Sequence, residues 1–399
     1  MIKSVTAAGA AMMLPPAGGE AVAAPILASD PIDQGIDPLP RSTYTERRER
    51  AQGLMAEQGL AAIFAEPATN FDYLTGASFG RSERLLALII PRQGEVVVVA
   101  PSFEVERVER AMGSEVRLLG WEEHQSPHRE VATALASIGP GRLGIEPSTR
   151  YGMVSRLQEA MPDREFVDAT DLFTRLRITK SEQELALIRR AISITQGAIA
   201  ATFASLQSGM TERDVARFLS ERLAADGARG GGLVQFGASS ALPHGGPGAS
   251  PLERGTPVLI DAGCRVHGYT SDITRMHFFG GAPPPDYSEV FKTVLAAQSA
   301  AYEAGRPGLE CQELDRIARR VIEDAGYGPY FTHRLGHGMG MDGHEPPYLV
   351  EGNRRRLEPG MVFTIEPGIY LPGEWGVRIE DDFVVGEDRL EPLSQRVSL

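Results

Sequence analysis

Four acidic residues stand where a buried charge would demand a partner. Val258-Leu259-Ile260-Asp261 and Val362-Phe363-Thr364-Ile365-Glu366 are apolar runs of strand type that end in a carboxylate. Burying such a group unpaired is expensive, so each needs a cation or a proton. Asp272 and Glu380 follow on what read as the return arms of two hairpins, which places four carboxylates around one cavity. Carboxylates that close raise one another's pKa unless a metal neutralises them, and two divalent cations balance four negative charges. Histidines sharpen this expectation. His337 sits in Gly336-His337-Gly338-Met339-Gly340, where flanking glycines would let an imidazole approach an ion closely. His333 lies four residues before it, His344 seven after it, and His244 occupies Pro243-His244-Gly245-Gly246 ahead of the first hairpin. Pro346 and Pro347 exclude the helical H-E-x-x-H zinc motif.

The elements that must position these residues read as two regimes. Thr45 to Gly59 is a charged amphipathic helix stopped by glycine, and Leu60 to Ala65 a strand. Leu85 to Ile90 and Val96 to Ala100 are further strands, split by the turn Pro91-Arg92-Gln93-Gly94. Helices and strands alternate to about residue 171 with no cluster of reactive side chains, a small α/β unit for packing, dimerisation or access control. The second regime opens with Ser181 and Glu184, spaced as a capping box before a long helix to Leu206. The chain then repeats itself. Gly209-Met210-Thr211 and Gly308-Leu309-Glu310 each precede a helix, which ends at Gly227 or Gly326, an offset of 99 positions at both landmarks. Gly255 leads to Asp261 as Gly360 leads to Glu366, and Gly268 and Gly376 each stand four before Asp272 and Glu380. Two helix-helix-hairpin halves follow, each offering one carboxylate per hairpin arm.

The 399 residues suffice for two domains and a buried core. A net charge of −13 argues against nucleic acid and anionic membrane surfaces as partners. Cys264 and Cys311, the two cysteines, supply no disulfide framework. Ala21-Val22-Ala23 has the form of a signal-peptide cleavage site, but Pro15-Pro16 and Gly18-Gly19-Glu20 interrupt the apolar core such a peptide needs. Residues 1–40 are therefore expected to be a flexible leader, and the protein cytoplasmic rather than secreted.

The ordered set Pro-His-Gly, Ile-Asp-Ala-Gly, Gly-Tyr-Thr-Ser-Asp-Ile-Thr-Arg, Gly-His-Gly-Met-Gly, His-Glu-Pro, Thr-Ile-Glu-Pro-Gly and Val-Arg-Ile-Glu-Asp resembles the pita-bread metallopeptidases. It runs from about Lys180 to the end. Asn70-Phe71-Asp72-Tyr73-Leu74-Thr75-Gly76 resembles the creatinase-type leading domain of prolidase and aminopeptidase P, which methionine aminopeptidases lack. The resemblance implies an α+β protein: a pita-bread domain with an internal pseudo-two-fold repeat over 172–399, behind a smaller α/β creatinase-like domain over 41–171. It implies five metal ligands, Asp261, Asp272, His337, Glu366 and Glu380, with Asp272 and Glu380 bridging two ions. His244, His333 and His344 match positions that bind substrate or steady the tetrahedral intermediate, and Arg378 one that fixes a ligand carboxylate. Val266 stands where many members carry tyrosine, and Tyr269 reads as a packing residue of the hairpin.

The implied activity is hydrolysis of the Xaa-Pro bond of dipeptides through a metal-bridging hydroxide, with Glu366 handling the water proton and His244 and His344 the oxyanion and leaving proline. Mn²⁺ suits a donor set of carboxylates and one imidazole, with Co²⁺ and Zn²⁺ as alternatives. Aminopeptidase P is the nearest rival; a creatinase-like C–N hydrolase or a non-catalytic binding protein would be expected to have lost ligands. A small peptide with proline second is the expected partner, and a homodimer the expected assembly.

Overall fold

The computed structural model describes residues 35–113, 115–243, 245 and 248–397. Residues 1–34 of the expected 1–40 leader, and His244, lie outside them. Ile36 and Leu39 pack against the second half of the molecule, and the Ile36 carbonyl lies 3.0 Å from His267 Nε2. No helix among the described residues is long and apolar enough to cross a membrane.

The first unit is a six-stranded sheet built from β1 (Leu60–Ala65), β2 (Ala87–Pro91), β3 (Val97–Pro101), β4 (Arg117–Trp121), β5 (Arg142–Ile145) and β6 (Phe166–Asp168). Their order is β4-β3-β2-β1-β5-β6, with β1 antiparallel to β2 and parallel to β5. The central strands are apolar throughout because helices cover both faces. Alternation sends Ile63, Leu88 and Val98 towards Leu54, Phe71 and Leu172, and sends Phe64, Ile89 and Val99 towards Val131, Leu135 and Leu157. The first helix spans Arg41–Gln58, four residues longer at its start than its pattern predicts. Pro40 precedes it with no side-chain cap, so its beginning carries no polar signal. Gly59, at φ 65°, ends it in the left-handed region that favours glycine.

The second unit is the duplicated one. Ser181 and Glu184 form the expected capping box for the helix Glu182–Ser205, and Thr211 with Asp214 forms another for Glu212–Ala225. Strands β7 (Arg229–Phe236), β8 (Thr256–Val266), β9 (Tyr269–Thr270) and β10 (Ile273–Phe279) complete the first half, with sheet order β10-β8-β7 and β9 paired to β8. The helices Pro285–Ala304 and Cys311–Asp324 open the second half. There β11 (Gly336–Gly338), β12 (Glu345–Leu349), β13 (Val362–Ile365), β16 (Asp381–Val385) and β17 (Leu390–Pro392) pair in the order β12-β11-β13-β16-β17, and β14 (Gly368–Leu371) pairs with β15 (Trp375–Arg378).

The glycine landmarks of the repeat have a conformational cause. Gly209 and Gly308, Gly227 and Gly326, and Gly255 and Gly360 share positive φ values of 84–89°. Backbone bonds repeat with them: Gly209 N–H donates to the Leu252 carbonyl as Gly308 N–H donates to that of Leu357. Each half owns its core, one around Ile188, Leu219 and Ile260, the other around Val294, Leu314 and Ile365.

A buried ion pair joins the two units. Arg47 Nη2, on the first helix, lies 2.8 Å from Glu184 Oε1 and 2.6 Å from the Tyr269 hydroxyl, which donates to Glu184 at 2.7 Å. Tyr269 is thus a polar tie as well as a packing residue. Removing the cation strands a buried carboxylate, so Arg47→Met is expected to cost about 3–5 kcal/mol of stability. Tyr269→Phe should cost only about 1 kcal/mol. Denaturant unfolding of both variants checks this; equal, negligible losses would contradict it.

Candidate metal centre

The hairpins bring the acidic set together from both halves. Asp261 lies inside β8, which continues beyond the apolar run to Val266; Asp272 precedes β10; Glu366 follows β13; and Glu380 sits between β15 and β16. Ligand-type atoms of Asp261, Asp272 and Glu380 lie within 4.8 Å of one another, as do those of His337, Glu366 and Glu380. Glu380 is common to both groups, so the geometry accommodates two adjacent cations. A third group joins Asp272, His337 and His344.

The donor chemistry fits. Burial first, and then Asp261 and the other neighbouring carboxylates, push the Asp272 carboxyl well above its usual range. The same burial, with Asp272 and Glu366 beside it, raises Glu380. Carboxyls that resist ionisation because they are buried and crowd one another are suited to neutralisation by cations. Burial also opposes the charge of Glu366, but the hydrogen bond and charge of His337, with His333 and Arg378 near, outweigh it and hold Glu366 down at about 2. His337 Nε2 stands 3.2 Å from Glu366 and 3.7 Å from Asp272. Its Nδ1 lies 3.1 Å from the Gly338 carbonyl, which can only accept, so Nδ1 carries a proton and Nε2 is the nitrogen turned towards the carboxylates. The glycines beside His337 have a second use that sequence reasoning missed. A Cβ on Gly336 would stand 2.0 Å from the Thr364 carbonyl oxygen, and one on Gly338 2.3 Å from that of Pro346. They let neighbouring strands close on β11.

Arg378 reaches Asp261 with Nη2 at 2.6 Å, Tyr370 with Nη1 at 3.0 Å and Thr274 with Nε at 3.1 Å. Thr274 donates its hydroxyl hydrogen bond to Glu380 at 2.6 Å. His333 donates from Nδ1 to the Arg334 carbonyl, leaving Nε2 to accept from Tyr370 at 2.8 Å. Tyr370, Thr274 and Asp382, whose carboxylate takes the Asp272 N–H at 3.2 Å, were absent from the sequence-based set. For Asp382 the three consecutive acids Glu380-Asp381-Asp382 were a usable signal; Tyr370 and Thr274 look like ordinary strand residues. Val266 is buried in the core of the first half. Because one rigid fork serves three partners, Arg378→Lys is expected to lower kcat/KM about 10–100-fold. Steady-state kinetics, with metal titration alongside, would show it; a change under threefold would contradict it.

The centre opens into a cavity of about 430 Å³ walled also by Pro243, His333, Arg334 and His344. His244 follows Pro243 but is not among the described residues. A second cavity of about 410 Å³ lies between the two units and shares His344. There Arg177 pairs with Asp342 at 2.7 Å and with Glu345, and Lys180 holds Glu345 at 2.9 Å, which fixes the strand after His344. Burial first, then the charges of His337 and Arg334, lowers the pKa of His344, so its ring is neutral near pH 7.

A duplicated hairpin frame holding a two-cation donor set, behind a creatinase-like α/β unit, defines a pita-bread metallopeptidase. Comparison with known proteins agrees: residues 186–387 match metallopeptidase family M24, and residues 47–179 match the creatinase/prolidase N-terminal domain. The chain belongs to family M24. It is similar to the crystal structure of dipeptidase PepE from Mycobacterium ulcerans, at 34% identity and a TM-score of 0.86 over 90% of this chain and 98% of that one. A recombinant prolidase from Thermococcus sibiricus superposes with a TM-score of 0.83 at 30% identity, over 89% and 97% of the two chains. An Xaa-Pro dipeptidase of Pyrococcus furiosus is 34% identical over 88% of this chain and 98% of its own length. The protein is thus a metallopeptidase similar to dipeptidases and prolidases.

Proposed function

We propose that the protein is an Xaa-Pro dipeptidase that uses two divalent cations held by Asp261, Asp272, His337, Glu366 and Glu380. The observation that carries the reading is the pair of donor groups sharing Glu380 at the floor of a small cavity. Cations bound there supply Lewis acidity towards the scissile carbonyl and bring the pKa of water towards neutrality. The donor set of four carboxylates and one imidazole favours Mn²⁺.

The chain's own groups have separable tasks. Glu366, held anionic, accepts the proton of the attacking water. Neutral His344, at the cavity wall, donates to the carbonyl oxygen as charge develops there. His333, oriented by Tyr370 at the cavity wall, binds substrate, and the family resemblance adds His244 and assembly into a homodimer. An Xaa-Pro bond has no N–H, so recognition must rest on the carbonyl, the proline ring and the termini of the peptide.

Hydrolysis of Ala-Pro, Ala-Pro-Ala and Ala-Leu by the Mn²⁺-loaded protein tests this. Ala-Pro is expected to be cleaved with a kcat/KM at least roughly tenfold above the others, about 1.4 kcal/mol of discrimination. Preference for the tripeptide would make it an aminopeptidase P, and equal use of Ala-Leu a dipeptidase without proline preference.

A further inference from the structure

His344 is lightly held for a group that must aim a proton at a carbonyl oxygen. It lies in residues 340–344, a stretch between β11 and β12 that belongs to neither strand. Its ring is exposed at the cavity wall, and its one hydrogen bond among the described residues is long, 3.4 Å from Arg334 Nη2 to Nδ1. It leans on the His337 ring with centroids 3.7 Å apart, a contact that sets no hydrogen-bonding direction. The placing of the ring therefore falls to the backbone on either side of it.

That backbone is tethered to the first unit through two acids. Asp342 precedes His344 by two residues and Glu345 follows it directly. Both accept from the same nitrogen of Arg177: Nη2 lies 2.7 Å from Asp342 and closes on Glu345 as well. The Asp342 N–H donates to Glu345 at 3.2 Å, which folds the two acids towards one another around the histidine. Arg177 ends the helix Thr170–Arg177, whose Leu172, Phe173 and Leu176 lie in the core of the first unit, and its side chain is 11% exposed. Its other arm is aimed by that unit. Nη1 donates to Asn70 at 2.9 Å, Asn70 donates to the buried Glu146 at 2.7 Å, and the Ser148 N–H donates to Glu146 at 2.9 Å. The Thr69 hydroxyl adds a bond to Asp342 at 2.5 Å. Lys180 takes the other oxygen of Glu345 at 2.9 Å, so without Arg177 Glu345 keeps a cation and Asp342, among the described residues, keeps none.

We propose that Arg177 is a positioning residue for the reaction: it holds Asp342 and Glu345 so that the His344 ring between them meets the scissile carbonyl oxygen. The first unit thereby acts on the chemistry and not on packing alone. The proposal rests on the donor role given to His344 above. A planar fork can bind Asn70 through one nitrogen and both acids through the other, which the single ammonium of a lysine cannot do in the same directions. Without the guanidinium the two carboxylates repel one another across the histidine. A misplacement of about 1 Å at a reacting group is enough to cost roughly 100-fold in rate. The loss falls on kcat, because His344 acts where charge develops in the transition state.

The test is a double-mutant cycle on the Mn²⁺-loaded full chain, with Arg177→Met, His344→Ala and their combination, and Arg177→Lys beside them. Ala-Pro is the substrate, and Ala-Leu replaces it if only that peptide is turned over, so the proposal is scored apart from the proline preference. Arg177→Met is expected to lower kcat about 10–100-fold with KM within about threefold, and Arg177→Lys to recover part of the loss. In the His344→Ala background the same substitution should change kcat by less than about twofold. Losses that multiply in the double variant would overturn the proposal, since a residue serving only the fold costs the same with or without the imidazole. So would an unchanged kcat in Arg177→Met or in His344→Ala. If Arg177→Met does not fold, Asp342→Asn, which keeps the shape and removes the charge that Arg177 faces, takes its place in the cycle with the same outcomes. If neither peptide is turned over, crystal structures of the wild type and the variant decide. A His344 ring displaced by about 1 Å, or split between rotamers, supports the tether, and an unmoved ring refutes it.

Discussion

Stripping divalent metal from the protein is expected to lower its melting temperature by about 10–20 °C, and readdition to restore it. Two sites filled at a hundredfold excess over Kd contribute about 2.7 kcal/mol each, and each kcal/mol moves a domain of this size by roughly 2–4 °C. The gap should widen with pH. In the metal-free protein the pKa values of Asp272 and Glu380 are raised by burial and by neighbouring carboxylates. Stability from their protonated forms is therefore complete below the pKa of an unfolded carboxylate and is lost as pH rises through the raised values. Metal binding requires the deprotonated forms and strengthens over the same interval. Melting curves with and without chelator between about pH 5 and pH 8 measure both effects. Superimposed curves, or a gap that narrows with pH, would contradict this account.

Asp272→Asn should separate activity from stability. The substitution keeps the shape but removes one charge from a buried cluster containing Asp261, Glu366 and Glu380. Metal-free Asp272→Asn is expected to be more stable than the metal-free wild type by about 1–3 kcal/mol, because a raised carboxyl no longer has to ionise at neutral pH. Hydrolysis should fall roughly 10³-fold, since Lewis-acid assistance is worth several kcal/mol and each 1.36 kcal/mol is tenfold in rate. Paired kinetics and denaturant unfolding of the chelated proteins check it. A metal-free variant less stable than wild type would mean that Asp272 serves the fold through its charge.

The parts of this site legible in the sequence were those that local physics imposes. Gly255 and Gly360 mark left-handed turns, and the apolar runs after them can end in Asp261 and Glu366 only if something pairs those charges. Ser181 and Glu184 announce their helix by side-chain spacing alone, as the closed capping box shows. What escaped depends on distant partners. Tyr370 gains its place through His333 and Arg378, and Thr274 through Glu380 and Arg378, contacts created by strand register. Arg47, Glu184 and Tyr269 come from three well-separated segments, so nothing in their own surroundings shows that they meet in the interior. Arg334 lies between two residues that were read for other reasons, and its position over Tyr348 follows from the pairing of β11 with β12.

The most direct test of the central claim is the metal content of the active protein, measured per chain after Mn²⁺ loading and gel filtration, for wild type and Glu380→Gln. Glu380 joins both donor groups, so wild type should carry two ions per chain and Glu380→Gln no more than one, with hydrolysis lost in step. Full activity with fewer than two ions, or two ions retained by Glu380→Gln, would contradict the shared two-cation centre.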